Sequence, residues 1–90
     1  MSDKHKKLNE AESIILRTIR PIIAEQLNVR EENIKPESNV IEDLGADSLD
    51  ATEIVIALEE KFNIEILDAE IDKIKTISDI VMYLSQRVKV

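Results

Sequence analysis

Residues 43–62 read Asp43-Leu44-Gly45-Ala46-Asp47-Ser48-Leu49-Asp50-Ala51-Thr52-Glu53-Ile54-Val55-Ile56-Ala57-Leu58-Glu59-Glu60-Lys61-Phe62. From Ser48 onward the apolar residues recur at helical spacing. At about 100° per residue, Ala51, Ile54, Val55, Leu58 and Phe62 fall on one side, which is the expected core face. Opposite them lie Leu49, Glu53, Ile56 and Glu60, flanked by Thr52 and Glu59. An ordinary amphipathic helix is polar there. Isolated exposed aliphatics usually carry no message. Two large ones set among carboxylates suit a transient docking surface.

The helical period extends outward in both directions. Upstream, Ile15, Ile19, Ile22, Ile23 and Leu27 form a stripe, with Asn9 as N-cap and Glu12 as its capping-box partner. Pro21 lies inside this pattern, so the helix is expected either to kink or to divide into two pieces there. Asn28 suits a left-handed end to the helix. Residues 28–46 then form a long connection broken by Pro36, Ser38, Asn39 and Gly45. Its apolar residues Val29, Ile34, Val40, Ile41 and Leu44 are expected to pin it to the core. Downstream, a short helix is expected over Asp68–Lys73, capped by Asp68 and turning Ile71 inward. Thr76 and Asp79 form a capping box for a last helix with the stripe Ile77, Ile80, Val81 and Leu84. The expected fold is all-α, a small bundle of three main helices plus a short third one.

Composition agrees. A chain of 90 residues with one Gly and two Pro is poor in the turns an all-β fold needs. With one Phe, one Tyr and no Trp, its core must be aliphatic. There is no cysteine, hence no disulfide and no protein thiol. The basic start, Met1 to Lys7, is followed by no unbroken apolar run, so neither a signal peptide nor a membrane span is expected. Residues 1–8 are read as a polar extension, with His5 solvated, and residues 9–90 as one domain.

The net charge of −7 is unevenly spread. Residues 31–72 hold 14 acidic groups against Lys35 and Lys61, a local balance of −12, while both ends are basic. This excludes a nucleic-acid footprint in the middle of the chain. It favours basic protein surfaces as partners, although an acidic stretch also serves plain solubility. An independent enzyme is disfavoured, because one His, no Cys and one Gly leave no triad, metal set or phosphate cradle. The acidic run 43–50 lacks the ligand spacing, central Gly and terminal Glu of a calcium loop.

Residues 43–50, with Leu44-Gly45 ahead of Asp47-Ser48-Leu49, resemble the phosphopantetheine attachment signature of acyl carrier proteins. The resemblance extends from about Ile22 to Leu84. It takes in Ile22 to Leu27, Ala57-Leu58-Glu59-Glu60, Ile64-Glu65-Ile66 and Tyr83. It implies an acyl-carrier-protein-like bundle that is a carrier and not an enzyme. A phosphopantetheinyl transferase would move 4′-phosphopantetheine from coenzyme A onto Ser48, and the distal thiol would carry acyl groups as thioesters. Asp47 and Leu49 would flank the attachment point. Asp50, Glu53, Ile56, Glu59 and Glu60 would dock onto basic patches of fatty-acid-synthesis enzymes and acyltransferases. Ile54, Leu58, Phe62, Ile74 and Ile80 would line an acyl pocket. A monomeric cytoplasmic protein without a metal, nucleic-acid partner or stable membrane insertion is expected. Polyketide, lipid-A-related and aminoacyl carriers share the fold and the serine, as would an unmodified adaptor. Several residues depart from the family pattern: Val40 for Phe, Leu67 for Pro, Ile56 for Met and Asn28 for Gly.

Overall fold

A computed structural model describes residues 8–88. The expected N-terminal extension, His5 included, lies outside them apart from Leu8. The elements are α1 (Glu10–Leu27), a single 3-10 turn (Glu31–Asn33), α2 (Ser48–Phe62), α3 (Asp68–Ile71) and α4 (Ile77–Arg87).

α1 starts where Asn9 and Glu12 predict. The Glu12 N–H donates to Asn9 Oδ1 at 2.8 Å, and the Asn9 N–H donates to Glu12 Oε1 at 3.0 Å. It runs unbroken through Pro21, which rules out the divided alternative. Pro21 and Arg17, whose carbonyl loses its donor, are both exposed, so the loss falls where water serves that carbonyl. Asn28 ends the helix with φ 58° and ψ 45°. Asn63 ends α2 in the same conformation, φ 56° and ψ 50°, a stop the sequence reading did not single out.

The core is aliphatic. Ile15, Ile19 and Ile23 of α1 are fully buried against Ile54 and Leu58 of α2 and against Ile77, Val81 and Leu84 of α4. The long connection contributes Ile34, Val40 and Ala46. Ile41 is a correction: it is 58% exposed, because the chain turns at Asn39 and points the neighbouring residue outward. α3 is also shorter than expected, and its N-cap is Leu67, with no side-chain cap bond. Asp68 is its first helical residue, where its charge favours the helix N-terminus without capping it. Ile71 is half-buried against the core, as expected.

The connection is stitched to the start of α4. The Ile77 N–H donates to Ser38 O at 3.0 Å and the Ser78 N–H to Pro36 O at 2.7 Å. The Val40 N–H donates to Lys75 O at 3.0 Å. Ser38, the one buried polar residue of the described chain, accepts the Lys35 N–H through its hydroxyl. The Asp79 carboxylate accepts N–H bonds from Lys75 and Thr76, both at 3.0 Å. Partial burial alone raises the Asp79 pKa, but these bonds and the Thr76 hydroxyl outweigh it and hold the carboxyl below its ordinary value of 3.8.

A depressed folded-state pKa stabilises the fold above the unfolded value and loses that contribution as pH falls through the folded one. Asp79→Asn is therefore expected to cost about 1 kcal/mol near neutral pH. The difference from wild type should vanish in acid, below the ordinary carboxylate value. Urea unfolding across pH checks this, and a pH-independent difference would refute it.

Candidate functional site

Ser48 is the first residue of α2, with its side chain exposed. Asp47 is the N-cap: the Asp50 N–H donates to Asp47 Oδ1 at 2.8 Å, and the Asp47 N–H donates to Asp50 Oδ2 at 3.3 Å. This reciprocal box fixes the helix start and so the exit direction of the Ser48 hydroxyl. The turn before it is equally determined. Asn39 Oδ1 accepts the N–H groups of Ile41 and Glu42, and Asp43 Oδ2 accepts that of Asn39 at 2.7 Å. Gly45 follows at φ 80°, a left-handed conformation that L side chains rarely adopt. A Cβ there would meet nothing within 4 Å, so backbone conformation and not crowding calls for glycine. Buried Ala46 then ties back through its N–H to Val40 O at 3.1 Å.

An exposed serine at a helix N-terminus suits a phosphodiester. Free N–H groups and the positive end of the helix dipole favour negative charge there.

The outer face of α2 matches its sequence pattern. Leu49 is 64% exposed and Ile56 48% exposed. Glu60 is exposed, and Glu53 is exposed while accepting a hydrogen bond from Gln26 of α1. Two carboxylates of the expected docking set have structural duties. Asp50 is half-buried in the capping box. Glu59 is half-buried and accepts the Ile66 N–H at 2.7 Å, fastening the segment after α2.

Beside α2 lies a cavity of about 470 Å³. Ile54, Leu58, Ile74 and Ile80, four of the five residues expected at an acyl pocket, line it, and Ser48 stands among the lining residues. Phe62, the fifth, stands apart from this cavity. It packs on the core but does not line this cavity, which takes α2 residues only from Ser48 to Glu59. Phe62 shares the helical face of Leu58 but sits one turn further on. Ile71, Tyr83 and Leu84 line it too and were not assigned to it from sequence; their inward spacing on α3 and α4 was the available signal. Among the described residues, no group of three or more His, Cys, Asp or Glu is placed to hold a metal ion. No helix among them is long and apolar enough to cross a membrane.

Comparison with known proteins bears directly on this arrangement. Residues 17–84 match the family described as the phosphopantetheine attachment site. The acyl carrier protein of Wolinella succinogenes is 59% identical over 66 residues, 73% of this chain and 87% of the relative. That of Helicobacter hepaticus is 55% identical over 67 residues, 74% of this chain and 88% of the relative. The fold is shared with a solution structure assigned to an acyl carrier protein of Anaplasma phagocytophilum. The TM-score is 0.82 at 24% identity, covering 92% of this chain and 98% of that one. An exposed serine on a capped helix start, beside an aliphatic cavity and inside the matched segment, thus has its family: the chain belongs to the acyl carrier proteins, the phosphopantetheine-bearing carriers of acyl groups.

Proposed function

We propose that Ser48 is the attachment point of 4′-phosphopantetheine and that the loaded arm carries growing acyl chains as thioesters for fatty acid synthesis. The observation that carries this reading is the position of Ser48. It is exposed at the capped start of α2, within the matched segment, and also stands at the aliphatic cavity. A side chain so placed is open to a transferase on one side. On the other it lets the arm fold back and lay its cargo against Ile54, Leu58, Ile74 and Ile80. Burying an acyl chain there gains about 0.8 kcal/mol for each methylene removed from water. The domain supplies no catalysis of its own in this reading. Transfer, elongation and release belong to visiting enzymes.

Those visitors are expected to include a phosphopantetheinyl transferase and the synthesis enzymes, met through basic patches. Leu49 and Ile56 form the apolar centre of the docking face, and Glu53 and Glu60 the charged surround. Such contacts are weak and screened by salt. A carrier that moves between enzymes requires that weakness.

Incubation with coenzyme A and a phosphopantetheinyl transferase is expected to add the mass of one phosphopantetheine. Ser48→Ala should gain none while unfolding at the same denaturant concentration. Absence of a mass gain in wild type with a competent transferase refutes the attachment. For the docking face, Glu60→Lys should weaken transferase binding by up to about five-fold at low salt. It should also flatten the salt dependence and leave thermal unfolding unchanged. Equal affinity of Glu60→Lys and wild type at low salt would remove Glu60 from the interface.

A further inference from the structure

Two buried side-chain groups of the described chain have no hydrogen-bond partner, the Nε of Arg20 and the hydroxyl of Tyr83. Arg20 lies outside the cavity lining and already donates through Nη2 to Glu31 O at 3.2 Å. Tyr83 is different, because it is part of the cavity wall. Tyrosines at the edge of a core ordinarily turn the hydroxyl to water or find it a partner. This one does neither. Its ring is held from outside: the Arg87 guanidinium lies 4.8 Å from the ring centroid, a cation–π distance. Arg87 is in turn braced by Glu70 of α3, with Nη2 3.8 Å from Oε1. The phenol is thus held in the cavity wall, with its hydroxyl buried and unpartnered.

A buried donor without an acceptor is costly, so a native one calls for an explanation. A plain hydrocarbon guest leaves the hydroxyl unpaired. A guest bearing oxygen on its chain supplies the missing partner, and its own oxygen escapes the penalty of entering an apolar cavity unbonded. We propose that Tyr83 is a specificity-determining residue of the cavity, selecting acyl chains with a hydroxyl or keto oxygen over plain hydrocarbon chains. This rests on the reading of the cavity as the cargo site.

The test compares guests and variants. Wild type and Tyr83→Phe are loaded from the corresponding acyl-coenzyme A with octanoyl, or with hydroxyoctanoyl groups carrying the hydroxyl at successive carbons. Cleavage of the thioester by hydroxylamine then reports how far the chain is sheltered. Octanoyl should be protected to the same degree in both proteins. At one or more hydroxyl positions, Tyr83→Phe should be cleaved about five-fold faster than wild type, the factor expected for losing one buried hydrogen bond. Protected octanoyl with no guest-dependent effect of Tyr83→Phe at any carbon overturns the assignment of Tyr83 alone. Octanoyl cleaved as fast as free octanoyl-pantetheine overturns the cargo site, and the inference with it.

Discussion

The start of α4 holds the domain together. A helix N-terminus leaves backbone donors without partners, and burying them unpaired is prohibitive. Here the N–H groups of Ile77 and Ser78 are taken by the carbonyls of Ser38 and Pro36, and that of Asp79 by the Thr76 hydroxyl. The connection from α1 to α2 is therefore bound to α4 by bonds that α4 itself requires. Val40 pairs with Lys75 on the same seam, and Ala46 pairs with Val40. A chain of backbone bonds thus runs from the cap of α4 to the residue before Asp47. The position of Ser48 is set by a helix that follows it by almost thirty residues.

This long-range dependence explains which features sequence alone discloses. Caps are local, and Asn9–Glu12 and Thr76–Asp79 form as expected; Asp47–Asp50 has the same spacing, although Asp50 was read from sequence only as a docking residue. Helical stripes are local too, so the buried faces of α1, α2 and α4 were legible. The connection was harder. Ile34 and Val40 are buried while Ile41 is exposed, and that difference depends on the Asn39 turn and the seam with α4, neither of which has a period. Phe62 shows a second limit. Its helical face is read correctly, yet the cavity ends before the last turn of α2, and helical angle gives no information about depth along the axis. Asp68 shows a third. Residue type suggests a cap, but only geometry separates a capping side chain from a first-turn acid.

In the proposed reading, the two faces of α2 couple recognition to cargo. Leu49 faces outward and Ile56 is exposed at the cavity rim, while Ile54 and Leu58 face the cavity, and Ser48 stands at the end of the helix beside both. A partner docked on the outer face would engage the same helix that forms the cavity wall. With the arm attached at Ser48 as proposed, docking and access to the cargo would share one frame of reference.

Acidity along this stretch serves two distinct ends. Asp43, Asp47, Asp50 and Glu59 each accept a backbone N–H, as does Asp79 beyond it. These carboxylates close turns and helix ends, work that a neutral residue of similar shape performs in part. Glu53 and Glu60 make no backbone bond among the described residues, and both stand on the outer face of α2 beside Ile56. Crowding like charges costs stability, and no local structural duty offsets that cost at Glu60. On the outer face of α2, Glu60 is therefore the carboxylate left free for the docking role proposed above. Glu60, with its neighbouring exposed isoleucine, is a cleaner marker of the proposed docking face than the charge of the whole segment.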